Sequence, residues 1–411
     1  MTGRLLLSIV TLALLCAAIA PAWGQAASPA TLEVTHRAAL GKLSKATWDN
    51  GVRWGQVAVT KEGHVLVFYC NDKRKIVYQL STDGRSFAEP VQVASGQGPA
   101  VALDAEDNIY LIYKGARKRA SFRKLPKTGP GKWDVSGKSV QPFVPFGEGP
   151  MNFPSLLILP GSKRIWCMYN YQKSDIFSLP RETWYPRRKP RGQAVVSYSD
   201  DGGKSWADPI YVGSDSGDEG SGIVVLRPWG DRATWFWTFW DCATPAWGRF
   251  DGSRIRPVRE FFPHKRARMA VAHPWDTATG PDGKLYFATG MGSYTNGQVY
   301  KVFDGKAWSP VRAIDAAARV TLEITPSESF RVPGSTVTLG RSEVFLTAWG
   351  VPGVLHWNGK RWKRELPDAA DAGTLSVCGD QVMLFTTGHV PKPPRRKRRQ
   401  LVRRTAILCY R

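Results

Sequence analysis

One structural unit recurs seven times along this chain, and a recurrence of that period restricts the fold more than any other feature of the sequence. Each copy reads as an apolar strand, a turn bearing Gly or Asp, a second apolar strand, a third strand, and a tight polar turn that ends in an aromatic residue. Gln56-Val-Ala-Val-Thr-Lys-Glu-Gly-His-Val-Leu-Val-Phe68 is the first strand pair. Ala100-Val-Ala-Leu-Asp-Ala-Glu-Asp-Asn-Ile-Tyr-Leu-Ile112 and Ser155-Leu-Leu-Ile-Leu-Pro-Gly-Ser-Lys-Arg-Ile-Trp-Cys167 align with it, and further copies begin near Gly222, Asp276, Gly334 and Gly373. Short apolar runs bounded by Gly, Asp and Asn are antiparallel strands. No stretch carries a long helical period.

The spacing, roughly 40 to 65 residues, is that of a four-stranded propeller blade. The expectation is therefore an all-β chain, a six- or seven-bladed β-propeller of antiparallel blades, with seven units counted. Composition agrees: 40 Gly and 29 Pro suit many tight turns, and 17 Trp supply large side chains to fill the space between packed sheets. Thr405-Ala-Ile-Leu-Cys-Tyr410 reads as a strand of the last unit. Thr31-Leu-Glu-Val-Thr35 is expected to add the outer strand there and close a ring, which removes exposed sheet edges.

The first 24 residues read as a signal peptide, with Arg4 in the charged region, an apolar run from Leu5 to Ile19, and cleavage after Ala22-Trp23-Gly24. The expected organisation is 1–24 signal and 25–411 one propeller domain, in a secreted, periplasmic or extracellular protein. Cleavage leaves Cys70, Cys167, Cys242, Cys378 and Cys409, an odd set without metal-type spacing. Cys378 and Cys409 are placed on neighbouring strands of the last unit, where a disulfide is permitted. No metal or other cofactor is expected.

The formal charge is +23. Basic residues cluster at 117–127, 187–191, 265–268 and 395–404. Such a field attracts polyanions. Export makes acidic glycans and anionic envelope polymers the natural partners and argues against specific nucleic-acid binding. Solvated loops that aid solubility are the plain alternative.

The aromatic-ended turns carry a resemblance. Ser199-Asp-Asp-Gly-Gly-Lys-Ser-Trp206 has the full pattern S-x-D-x-G-x-x-W. Ser81-Thr-Asp-Gly-Arg-Ser-Phe87 is one residue shorter, and Asp304-Gly-Lys-Ala-Trp308 and Asn358-Gly-Lys-Arg-Trp362 keep the turn and the aromatic. Asp and Gly accept the turn dihedrals, and the Asp and Ser side chains can hold backbone amides. The pattern resembles the Asp box (BNR repeat) of sialidases and related propellers, including polysaccharide lyases and binding proteins. It is a folding staple, informative about fold and weak about reaction.

In a propeller, the starts of the innermost strands gather at one mouth, away from the Asp-box turns. The corresponding positions are Arg53, Gln97, Asn152, Glu219, His273, Arg331 and Ala370. Two arginines there suit bidentate capture of a carboxylate, Glu219 supplies a base, and His273 titrates near neutrality. The resemblance implies an arginine cluster of Arg53, Arg331 and Arg268, a tyrosine nucleophile activated by Glu219, and Asp72 as acid/base. Tyr294 is the preferred tyrosine, with Tyr169 and Tyr171 as rivals. Three functions follow: a sialidase-like hydrolase of a sialoside-type acidic sugar, a lyase on uronic-acid chains using Gln97, Asn152 and His273, or a non-catalytic glycan-binding propeller. The Trp235-Phe-Trp-Thr-Phe-Trp240 stretch is expected to be a buried strand, with sugar stacking the lesser alternative.

Overall fold

The computed structural model describes residues 34–42, 57–116, 120–140, 151–171, 192–208, 210–215, 223–238, 246–251, 254–258, 276–279, 282–290, 298–310, 312–313, 335–339, 343–348, 351–357, 362–365, 374–378, 381–387 and 404–410. The chain divides into two units, Met1–Leu32, which lies outside these residues, and Glu33–Arg411, which holds every strand. Among the described residues all the regular structure is β, and no helix is long and apolar enough to cross a membrane.

The strands form antiparallel sheets in chain order. The first sheet is β2 (Val57–Val59), β3 (Val65–Cys70), β4 (Lys75–Ser81) and β5 (Val91–Ser95). The second is β6 (Gln97–Leu103), β7 (Ile109–Lys114) and β8 (Ala120–Leu125), followed by a ribbon of β9 (Lys127–Gly129) and β10 (Lys132–Trp133). The third is β11 (Met151–Ile158), β12 (Ile165–Tyr171), β13 (Gly192–Ser199) and β14 (Ile210–Asp215). The fourth is β15 (Ile223–Trp229), β16 (Arg232–Thr238), β17 (Ala246–Asp251) and β18 (Arg254–Val258). The fifth is β19 (Asp276–Thr279), β20 (Leu285–Gly290), β21 (Gln298–Phe303) and β22 (Arg312–Ala313). The sixth is β23 (Ser335–Leu339), β24 (Glu343–Ala348), β25 (Val351–Trp357) and β26 (Trp362–Glu365). The last combines β27 (Thr374–Cys378), β28 (Gln381–Thr387) and β29 (Arg404–Tyr410) with β1 (Val34–Lys42) from the other end of the chain.

The first strand of each sheet lies against the first strand of the next: β2 on β6, β6 on β11, β11 on β15, β15 on β19, β19 on β23, and β23 on β27, which lies on β2. The core is accordingly a series of layers between sheets. Strand β3 shows why. Every one of its side chains is buried, and alternation sends them to opposite faces. Val65, Val67 and Tyr69 pack with Met383, Phe385 and Leu40 of the last sheet. Leu66 and Phe68 pack with Val101, Leu111 and Tyr113 of the second. A sheet covered on both faces reads as a continuous apolar run.

Three features differ from the sequence reading. The N-terminal strand that joins the last sheet is 34–42 rather than 31–35, with Ala38 opposite Ile407. Cys378 and Cys409 are not on neighbouring strands. Strand β28 lies between theirs, with Cys378 paired to Gln381 and Cys409 to Met383. Two strand spacings are about 9–10 Å, beyond the Cα separation a disulfide spans. Cys378 is a free thiol that donates to the Gly63 carbonyl at 3.3 Å. Third, the second sheet ends differently. Its outer edge is made by a single bridge from Phe122 to Val140, and Trp133 of the ribbon turns back onto Tyr78 of the first sheet, edge to face at 6.0 Å. Its indole donates to the Asp107 carbonyl at 2.8 Å.

Candidate functional site

The polar turns define one end of the sheets. In the Ser199–Trp206 turn, the Asp201 carboxylate accepts the Ser199 hydroxyl at 2.8 Å and the Ser205 hydroxyl at 2.6 Å, and both its oxygens accept the Ser205 amide at 2.9 Å. The Ser199 hydroxyl in turn accepts the Gly203 amide at 2.8 Å. Asp83 repeats the scheme, accepting Ser81, the Arg85 and Ser86 amides, and the Ser86 hydroxyl. Asp304 accepts the Lys306 and Ala307 amides. Each turn closes with the same backbone bond at 2.8 Å, from Ala207 to Tyr198, Ala88 to Leu80 and Ser309 to Val302. The Ser205 hydroxyl and amide hold Asp201 far below the usual carboxylate range. The Ser86 and Arg85 amides do the same for Asp83. The aromatic that ends each turn packs between sheets: Phe87 against the last, Trp206 on Phe122 of the second, and Trp308 on Phe303, which meets Trp229 of the fourth.

The first-to-second-strand turns lie at this same end, and bonds across sheet boundaries align them. The Lys61 amide donates to Asp107, Trp229 donates to the Gly283 carbonyl, Thr279 donates to the Pro228 carbonyl, and Cys378 donates to Gly63. The starts of the first strands and the second-to-third-strand turns therefore share the opposite end.

That opposite end holds three of the residues expected at the mouth. Gln97 opens β6 directly across from Lys114 and is half-buried. Asn152 is the second residue of β11, paired with Asn170. Asp72 is exposed in the four-residue turn between β3 and β4. Its neighbour Asn71 organises the turn by accepting the Lys73 amide at 3.1 Å and the Lys75 amide at 2.9 Å. Arg53, Glu219, Arg268, His273, Tyr294 and Arg331 lie outside the described residues, as do the 117–119, 172–191, 259–275 and 388–403 connections. Of the rival tyrosines, Tyr169 is core, packed among Tyr110, Cys167 and Val195, while Tyr171 ends β12 opposite Met151. Trp235 is fully buried, as a blade-type strand requires.

Sequence reasoning missed the cations on the rim of this end, Lys73, Arg74, Lys75 and Lys114. Lys73, Arg74 and Lys75 are consecutive but form only a short run, and the packing of the first two sheets at Gly96 brings Lys114 beside them. Among the described residues no group of three or more His, Cys, Asp or Glu side chains is arranged to hold a metal ion.

No family model matches the sequence, and no curated protein matches it. Solved structures similar to it in chain path include a protein of unknown function from Dyadobacter fermentans, 12% identical with a TM-score of 0.48, over 92% of this chain and 99% of that one. The NanB sialidase from Streptococcus pneumoniae is 12% identical with a TM-score of 0.44, over 90% of this chain and 70% of that one. An ulvan lyase of polysaccharide lyase family PL25 is 12% identical with a TM-score of 0.48, over 85% and 93% of the two chains.

Proposed function

We propose that this chain is an exported, seven-bladed, Asp-box β-propeller that acts as a sialidase-like glycoside hydrolase on a terminal sugar bearing a carboxylate. The observation that carries the reading is the registered end opposite the Asp-type turns. Gln97 is the first residue of β6 and Asn152 the second of β11 there, and the successive contacts of the seven first strands run from β2 through to β27 and back to β2. Arg53, Glu219, His273 and Arg331 precede the first strands of other sheets in the sequence by the same alignment.

In this reading Arg53, Arg331 and Arg268 bind the carboxylate through charge-assisted bonds, and Asn152 and Gln97 hold sugar hydroxyls. Glu219 takes the phenol proton as Tyr294 attacks the anomeric carbon, and Asp72 donates a proton to the departing oxygen. Water then releases the sugar, with Asp72 accepting its proton. No metal or other cofactor takes part. His273 lies beside this set in the alignment and would give activity a dependence near neutral pH.

A lyase on uronic-acid chains is the second reading, supported by amide residues, Gln97 and Asn152, near the starts of β6 and β11, a residue type that can neutralise a uronate carboxylate. A binding propeller is the third. The test is turnover of a fluorogenic sialoside by the parent, Glu219→Gln and Arg53→Ala. The proposal expects parental turnover and a loss of about 100-fold or more in Glu219→Gln. Unsaturated products from a uronate polymer, without sialoside turnover, would replace it with the lyase. Glycan binding without either reaction would leave the binding propeller.

A further inference from the structure

The seam between the first two sheets carries a second feature. Residues 70–75, 95–98 and 113–116 come together where β5 passes into β6 through the single residue Gly96. The Gly96 amide donates to the Arg74 carbonyl at 3.3 Å, and the Cys70 thiol donates to the Gly96 carbonyl at 3.3 Å. A methyl group on Gly96 would lie 2.5 Å from the Lys114 carbonyl oxygen and 2.6 Å from the Tyr113 ring. Only a glycine lets the β3–β4 turn of one sheet approach the end of β7 in the next this closely.

The result is a concentration of charge. In those three stretches the charged side chains are Lys73, Arg74, Lys75 and Lys114 against Asp72 alone. Arg74 is set in the left-handed region at φ 57°, where the turn reverses. Lys75 reaches across to the Ser95 hydroxyl at 2.9 Å. Lys114 pairs with Gln97, so the cations continue from the residue assigned to the mouth. At the other end of the same two sheets Glu62 and Asp107 hold Lys127 at 2.8 and 3.0 Å, and Asp83 and Asp104 are taken up by their own turns.

We infer that this seam is a binding surface for the polymer chain beyond the terminal sugar, an acidic polysaccharide whose repeating carboxylates or sulfates lie along Lys73, Arg74 and Lys114. The inference rests on the glycan reading of the mouth and extends it from an end sugar to an anionic chain. A repeating anion is attracted to a local excess of cations, and a rim open to solvent accommodates a long chain.

The experiment separates the seam from the net charge of the protein. Affinity for polygalacturonate and for a sulfated glycan is measured by titration at low and at physiological salt. The proteins compared are the parent, a Lys73→Glu/Arg74→Glu/Lys114→Glu variant, and a Lys61→Glu/Lys132→Glu/Lys204→Glu variant with the same charge change among exposed residues of the opposite end. The seam variant is expected to bind about tenfold more weakly or worse, and the control variant within about twofold of the parent. Equal losses in both variants overturn the inference, because the attraction then belongs to the whole charge. Tighter binding of a single-stranded oligonucleotide than of either glycan overturns it in favour of nucleic acid. The seam effect is read whether or not the sialoside is turned over, so failure of the catalytic reading and failure of this one are distinct. Unfolding midpoints of the three proteins exclude a folding defect, and Lys73→Gln/Arg74→Gln serves if the triple variant is unstable.

Discussion

Replacing either of two adjacent glycines by alanine separates two physical costs that the Ser199–Trp206 turn imposes together. Gly202 and Gly203 both have positive φ, 77° and 91°. An L-residue in that region costs about 1–2 kcal/mol. Nothing lies within 4 Å of a Cβ on Gly202, so Gly202→Ala carries that strain alone. A Cβ on Gly203 meets the Phe122 ring. That ring is 2% exposed and stands edge to face with Trp206 at 5.1 Å, so it has no free space to enter. Overpacking adds about 1–3 kcal/mol, so strain and overpacking together cost about 2–5 kcal/mol in Gly203→Ala. Urea unfolding followed by tryptophan fluorescence should place the Gly203→Ala midpoint clearly below that of Gly202→Ala. Adding Phe122→Leu to Gly203→Ala should recover part of the loss, since contacting sites couple by about 0.5–3 kcal/mol. Equal midpoints for the two single variants, or no recovery in the double, would refute the assignment of the clash and with it the packing of the turn against the second sheet.

Acid should weaken the fold through the same turns. Asp83 and Asp201 have folded pKa values depressed below their unfolded values by amide and hydroxyl donors. Their contribution is therefore present above the unfolded carboxylate pKa of about 4 and is lost as pH falls through the folded values. Melting temperatures measured from pH 6 down to pH 2 should fall, and less steeply in Asp83→Asn/Asp201→Asn. Trp133→Ala should cost about 3–5 kcal/mol in urea unfolding, because a 6% exposed indole, its contact with Tyr78 and its bond to Asp107 are all lost. Under non-reducing denaturing conditions, alkylation and mass spectrometry should find Cys378 and Cys409 unlinked to each other, since β28 separates them.

Much of the strand plan is legible locally. The seven expected units and the first strands β2, β6, β11, β15, β19, β23 and β27 fall within a few residues of one another, because alternation and Gly or Asp turns act within a dozen residues. The bonds around Asp201 and Asp83 are equally local, each made to partners two to four residues away. The turn before Trp133 was not legible. Lys127-Thr-Gly-Pro-Gly-Lys-Trp133 lacks the Ser and Asp of the others, and its role comes from Tyr78 and the Asp107 carbonyl, both distant in sequence. Of the candidate site, the positions of Gln97 and Asn152 followed from strand starts, while Tyr169 could be assigned to the core only from its neighbours in the second and third sheets.

The sequence by itself determined an all-β chain of repeated strand units, the chemistry of its staple turns, and a strongly basic balance. Only the tertiary structure decided which strand completes the last sheet, that β28 parts the two cysteines, and that Lys73, Arg74 and Lys114 stand along one seam. Turn dihedrals and alternation are written in neighbouring residues. The meeting of sheet edges depends on packing between elements far apart in the chain, as at Gly96, where the absence of a side chain sets how closely two sheets approach.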